Sequence, residues 1–376
     1  KIKIIAGNGD YKDPSIWYSV YGKSIHVLWL EYCQYTGVQF YCLNNVYKKD
    51  CASSDETVLD FTGDLNLADD IATTDYMSRQ KNGLKDCFSV ELLKEMKQAD
   101  IFTINNEFTY TTRGEAIPNK AYTFRANPNR VKELSKIGVD LCSLANNHVC
   151  DYGKIGLTDT FDTLNQAKIP YVGAGKNLDE AEKIVYFVAN GRKIAIVSAT
   201  QIERSYNYTK EATADSPGVL KTLNPDKYCA VIKAAKKNAD IVIAICHWGT
   251  EGDSSYASDQ VKLANDFVDA GADVIIGGHT HCLQGIEYIG DVPVFYSLGN
   301  YWFSSTENMP DDYDTGLAQI RIAADGTIKA YFVPYCKEFS LAILERFSQA
   351  NLISEFAILL TGISIRNNKI KFIIFL

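Results

Sequence analysis

From Thr57 onward the chain repeats one pattern: a short apolar run, a polar word at its end, then a stretch of helical period. The apolar runs at 57–62, 100–105, 139–144, 241–246 and 273–277 have the length of strands rather than helices. Helical period marks 90–98, 129–137, 155–167, 225–238 and 256–270. In the last of these, Val261, Ala264, Phe267 and Val268 define one face for burial. Two hairpins break the alternation. Asn190-Gly191 joins 184–189 to 193–197, and Asp325-Gly326 joins 317–323 to 327–333. Alternating β/α units mixed with antiparallel pairs predict an α/β fold, with sheets covered by helices on their outer faces. Residues 1–56, rich in Tyr and without clear period, read as an N-terminal extension; the apolar tail 336–376 carries no motif and is left unassigned.

The polar words carry the chemistry. Of only five histidines, four follow apolar runs: His148 in Ala145-Asn146-Asn147-His148, His247 after 241–246, and His279 and His281 in Gly277-Gly278-His279-Thr280-His281. Asp64 in Gly63-Asp64-Leu65-Asn66 and Glu107 after 101–104 have the same placement. Open α/β sheets bind ligands beyond the carboxyl ends of their strands, so these residues are expected to converge on one patch. Two imidazoles two residues apart in a turn can address neighbouring metals, and Gly277 and Gly278 are expected to let the backbone turn sharply there.

Asp64 and Glu107 are hard oxygen donors suited to Mn²⁺, Fe or Zn²⁺ beside imidazole, and a carboxylate can bridge two ions. The structural alternatives are a turn-forming role for Asp64, a helix cap or ion pair for Glu107, and a hydrogen-bonded core position for His247. An amide oxygen of the Asn146-Asn147 pair can ligate metal while the adjacent His148 donates a proton to a leaving group. Asp151, three residues on, is placed to orient that imidazole and raise its pKa. Arg125 is a candidate anion clamp, against an ordinary surface position.

Composition narrows the classes. A formal charge of −8, with basic residues dispersed apart from short clusters such as 233–237, gives no phosphate-tracking surface, so nucleic acid is not an expected partner. Among ten cysteines, Cys142 and Cys246 lie inside apolar runs and are expected to be buried thiols. Cys33, Cys42 and Cys51 have no readable connectivity, and Cys150 and Cys282 lie close in sequence to the site words. The sequence contains no uninterrupted apolar stretch of the ~18 residues that a membrane span requires.

Taken in order, Gly63-Asp64-Leu65-Asn66, Asn106-Glu107, Ala145-Asn-Asn-His148 with Asp151-Tyr-Gly153, Gly173-Ala-Gly175, His247-Trp-Gly249, Gly277-Gly-His-Thr-His281 and Tyr296-Ser-Leu-Gly-Asn300 resemble one family. It is that of the CapA-type poly-γ-glutamate capsule biosynthesis proteins, a branch of the calcineurin-like metallophosphoesterase superfamily. The resemblance covers about residues 57–335. It implies a four-layered α/β/β/α metallophosphoesterase sandwich holding two divalent metal ions, Mn²⁺ first and Fe or Zn²⁺ as alternatives.

It further implies Asp64, Glu107, Asn147, His247, His279 and His281 as ligands, with Glu107 bridging, Asn66 as a seventh, and His148 as proton donor. The superfamily more often has Asp-x-His where this chain has Asp64-Leu65-Asn66, and Asp where it has Glu107. The resemblance implies an anionic polymer or phosphoester as substrate, capsule-synthesis membrane proteins as partners, and the bacterial cell envelope as location. Three functions follow: a metal-dependent hydrolase, a non-catalytic accessory or binding protein of polymer synthesis and export, and a degenerate member whose Asn66 leaves a single metal.

Overall fold

The computed structural model describes residues 45–205, 207–303 and 314–336, with three short strands between 364 and 375. Expectations for 1–44, and for the tail outside those strands, lie outside the described residues.

Two sheets carry the fold. One runs in the order Val46–Lys49, Val185–Ala189, Arg192–Thr200, Ile241–His247, Val274–Gly278, Val292–Phe295, Ile286–Ile289. Its four middle strands, from Arg192–Thr200 to Val292–Phe295, are parallel. The other runs Ile374–Phe375, Ile328–Cys336, Asp314–Ala323, Glu56–Leu65, Ile101–Asn106, Leu141–Ser143, Tyr171–Val172, and its last four strands are parallel. Asn300–Trp302 lies parallel to the end of Glu56–Leu65.

Side-chain alternation sends each strand's residues to two different cores, which is why the central strands read as unbroken apolar runs. Leu59, Phe61 and Ile101 of one sheet meet Ile194, Ile196, Ile243, Ile245 and Ile276 of the other in the core between the sheets. The alternate positions Val242, Ala244 and Cys246 face outward onto Tyr228, Ile232, Leu263 and Phe267 of helices Pro225–Asn238 and Ser258–Ala270. Behind the second sheet, Phe102 and Ile104 pack on Leu92, Leu134, Leu157 and Phe161, from helices Val90–Met96, Val131–Lys136 and Gly153–Gln166. The layers are therefore α/β/β/α, the four-layered sandwich expected.

Local chemistry sets the ends. Asn224 caps Pro225–Asn238 by accepting from the Asp226 N–H, with Pro225 in the first turn where no N–H is needed. Gly271 terminates Ser258–Ala270 in the left-handed region, φ 108°. At the first hairpin, Asn190 and Gly191 both take positive φ (48° and 76°), as a two-residue turn of that hand demands. Helix Ala72–Ser78 was not anticipated, because its polar, Thr-rich sequence shows no apolar period. Cys142 and Cys246 are buried free thiols, as expected, and Cys51 is also free.

Candidate metal centre

The parallel strands of both sheets end along one edge, and register places the polar words beside one another there. His247 is opposite Gly278, Asp64 is opposite Asn105, and Asn300 is opposite Asp64 on the other side. Glycine makes this crowding feasible, for a reason other than the expected sharp turn at Gly277-Gly278. A Cβ at Gly277 would stand 2.0 Å from the Tyr296 carbonyl oxygen, and one at Gly63 would stand 1.9 Å from that of Gly299. The left-handed residues are the histidines themselves, His279 at φ 99° and His281 at φ 60°. That backbone is costly for residues with a Cβ and persists where surrounding structure imposes it.

Asp64, Glu107, His247, His279 and His281 are all buried and form two overlapping groups able to hold a metal ion. One is Glu107, His247 and His279; the other is Asp64, Glu107 and His281; within each group the donor atoms lie within 4.8 Å of one another. Glu107 belongs to both, the place a bridging carboxylate would take. The Asn147 amide oxygen stands 2.9 Å from His247 Nε2, whose distance to Glu107 Oε1 is 3.4 Å. Asn147 thus joins the first group. Cys150 and Cys282 belong to neither group.

The donor chemistry suits a divalent cation. Burial pulls His247 down to about 4, against the opposing pull of Asp64, and drives His279 well below the usual histidine value, aided by neighbouring His247. Both imidazoles are therefore neutral and offer a lone pair. Burial, then the Asp64 charge, pushes Glu107 well above the usual carboxylate range, a penalty that a shared cation would remove. Glu107 Oε1 and His279 Nδ1 are buried without a hydrogen-bond partner. Such atoms are rare in folded proteins and call for an explanation such as a missing ion.

His148 belongs to a separate hydrogen-bonded set. Its Nδ1 donates to Asp151 Oδ2 at 2.8 Å, and that carboxylate also accepts the Phe124 N–H at 2.7 Å. The acidic partner orients the ring as expected, but the net shift runs the other way. Burial outweighs Asp151 and lowers His148 to about 4. His148 packs against Phe124, Phe124 against Phe303, and Phe303 against His281, at centroid distances of 4.5, 5.3 and 4.8 Å. The imidazole therefore lies along the wall of the donor cluster.

Two further residues are placed differently from the rest. Asn66 is fully buried, but its Oδ1 accepts the Ala68 N–H at 2.8 Å while its Nδ2 has no partner. The turn-forming role weighed for Asp64 thus falls on Asn66. Arg125 stacks its guanidinium over the Tyr152 ring, 4.5 Å to the centroid.

Two residues that sequence reading passed over organise the ligands. Asn105 Nδ2 donates to Asp64 Oδ1 at 2.7 Å and lies 3.5 Å from Glu107 Oε2, while its own Oδ1 accepts from Asn146. Asn300 Oδ1 accepts from His281 Nδ1 at 2.8 Å, fixing the tautomer of that imidazole. Asn300 ends a quoted motif, but only the parallel pairing with Asp64 reveals its partner.

The two-sheet α/β/β/α sandwich gathers carboxylates, imidazoles and an amide at its strand ends, the arrangement that the resemblance to metallophosphoesterases led us to expect. Residues 58–305 match the family model described as bacterial capsule synthesis protein PGA_cap, and the chain belongs to that family. It is 37% identical over 213 residues to the capsule biosynthesis protein CapA of Bacillus anthracis, covering 56% of this chain and 50% of the relative. It is 32% identical over 227 residues to a probable polyglutamine synthesis accessory protein of Mycobacterium tuberculosis, 58% of each chain. The chain spans about half the length of the curated relatives it matches. Among solved structures, the Thermus thermophilus sulfate thiohydrolase SoxB is similar with a TM-score of 0.41 and 14% identity, over 85% of this chain and 61% of that one.

Proposed function

We propose that this chain is a binuclear metal-dependent hydrolase of phosphoester or related linkages, acting in capsule or poly-γ-glutamate metabolism at the cell envelope. The observation that carries the reading is the pair of donor groups sharing Glu107, with Glu107 Oε1 and His279 Nδ1 buried and unpartnered. Unpartnered buried atoms occur elsewhere among the described residues, at Asp60 for one, but these two lie within groups of ligating side chains.

In this reading Asp64, Glu107, Asn147, His247, His279 and His281 hold two divalent ions, Mn²⁺ foremost. The metal contributes Lewis-acid polarisation of the scissile group. The remaining work falls to the chain. Asp151 holds the His148 Nδ1–H, and Nε2 can pass a proton to the leaving oxygen only after the imidazole has first taken one up there, which burial opposes and the Asp151 carboxylate favours. Asn105 and Asn300 keep Asp64 and His281 in register as charge develops. Asn66 is assigned to shaping the turn after Asp64.

An anionic polymer or a phosphoester is the proposed substrate, and membrane proteins of capsule synthesis are the proposed partners. A likeness to an accessory protein of polymer synthesis supports a second reading, in which the fold binds polymer without cutting it. No helix among the described residues is long and apolar enough to cross a membrane.

Elemental analysis of protein purified with Mn²⁺, followed by a screen of phosphodiesters and polyglutamate, separates the two. Two ions per chain with metal-dependent turnover are expected. Protein without bound metal, or metal-loaded protein inert toward both substrate classes, would move the assignment to the accessory role.

A further inference from the structure

The loop after Glu107 and the loop after Thr200 come from different sheets, and they meet on the backbone of one candidate ligand. The carbonyl oxygen of Asn147 accepts from Lys120 Nζ of the first loop and, at 3.0 Å, from Thr209 Oγ1 of the second. Lys120 is the centre of this junction. Its side chain is 8% exposed, and its ammonium also reaches Asp151 Oδ1 at 2.5 Å and Glu203 Oε1 at 3.6 Å. Glu203 is in turn fixed by the N–H groups of Tyr208 and Thr209, at 2.9 and 3.1 Å, while the Tyr208 hydroxyl donates to the Asn119 carbonyl at 2.8 Å.

We infer that Lys120 is a positioning residue that locks the orientation of His148 to that of the Asn147 turn, so that proton donor and ligand-bearing backbone are set by one ammonium. This rests on the hydrolase reading for its consequence, though not for its geometry. A buried lysine normally carries a desolvation cost and is retained where paired. Here the pairing is selective: both Asp151 oxygens are used, Oδ1 by Lys120 and Oδ2 by His148 Nδ1 and the Phe124 N–H. Asp151 is fully buried, so its rotamer is decided by these contacts alone. Without Lys120, Oδ1 would be left without its donor, and the carboxylate would be free to rotate away from the imidazole. The two loops would also lose the charge that joins Asp151 to Glu203.

The test uses the whole chain, labelled with ¹⁵N-histidine and loaded with Zn²⁺, which is diamagnetic. The sequence has five histidines, so His148 can be assigned by its loss in His148→Gln. Wild type should show the His148 Nδ1–H proton held in its carboxylate hydrogen bond. In Lys120→Met that resonance should shift upfield or be lost to exchange, while the ring signals of His247, His279 and His281 stay in place. Lys120→Leu, which also removes the donor, carries the same expectation should the methionine variant not fold.

A parallel series of aryl phosphodiesters tests the consequence. Turnover of a phenyl ester, which needs protonation of its leaving oxygen, should fall about 10- to 100-fold in Lys120→Met. That of a 4-nitrophenyl ester, which needs little, should fall far less. An unchanged His148 resonance in the folded variant would overturn the inference, as would an equal loss with both esters. A Lys120-dependent resonance in a protein that hydrolyses neither ester would uphold the positioning role and count against phosphodiesters as the substrate of the hydrolase reading.

Discussion

The two halves of the site share a turn at Asn147 and His148, yet they satisfy their polar atoms in opposite ways. On the His148 side the imidazole, the Asp151 carboxylate, Lys120 and Glu203 all have partners within the fold. On the Glu107 side a carboxylate oxygen and an imidazole nitrogen are buried with none. The first half is thus complete in the protein alone. The second is a set of lone pairs held together by Asn105, Asn300 and the strand ends, which in the proposed reading a cation would satisfy. One half holds an oriented imidazole; the other gathers unpaired lone pairs.

The comparison can be broken most forcefully at His148. His148→Ala should lower turnover about 10³-fold while leaving metal content unchanged; loss of metal in elemental analysis would merge the two halves. Asp60 asks whether an unpartnered carboxylate is by itself a mark of a cation site. Both of its oxygens are buried without a partner at hydrogen-bond length in the helix-covered face of its sheet, and burial, only partly opposed by the neighbouring Gln319 amide, pushes its carboxyl up to about 7. Its unfolded value is about 3.9, so the native state binds the extra proton between roughly pH 4 and 7. Stability must therefore fall as pH rises through that window. Asp60→Asn should be more stable by on the order of 3–4 kcal/mol at pH 8 and lose that advantage near pH 4, in denaturant titrations. A stabilisation of wild type by added cation that Asp60→Asn abolishes would put Asp60 with Glu107 instead.

Smaller effects sharpen the metal half. With Mn²⁺ at ~100-fold above its Kd, one occupied site adds about 2.7 kcal/mol of stability. His279→Ala should remove that increment in a thermal scan and reduce the ion content. Asn300→Ala should weaken metal binding about 10-fold by freeing the His281 ring, measured by competition with a chelating dye. An unaltered affinity would show that the left-handed backbone at His281 suffices to hold it.

Much of this arrangement was legible before any coordinates, because strand exits announce themselves as apolar runs ending in polar words. Asp64, Glu107, His247, His279 and His281 all stood at such exits, and helix-covered sheets followed from β/α units mixed with hairpins, while the four-layered α/β/β/α order came from the family resemblance. What remained hidden depends on distance in sequence. Asn105 sits within an apolar run, and its role needs Asp64 on the neighbouring strand. Lys120 lies in an irregular loop with no period to interpret, and its partners are far along the chain. Arg125 left two readings open for the same reason: a lone arginine cannot be told from a clamp by sequence, and only the structure shows its guanidinium over the Tyr152 ring. The pKa of His148 was misjudged in sign because the sequence shows the nearby acid but not the depth of burial.

The donor set has a consequence for the chain as a polymer. Asp64 and Glu107 hang from one sheet, His247, His279 and His281 from the other, so the first and last donors are separated by most of the domain. A cation held by all of them acts as a cross-link closing that long loop, and clips closing long loops remove the most entropy from the unfolded chain. If the proposed ions bind at this edge they would rivet the two sheets together, and chelation should then loosen the sandwich as a whole rather than the site alone.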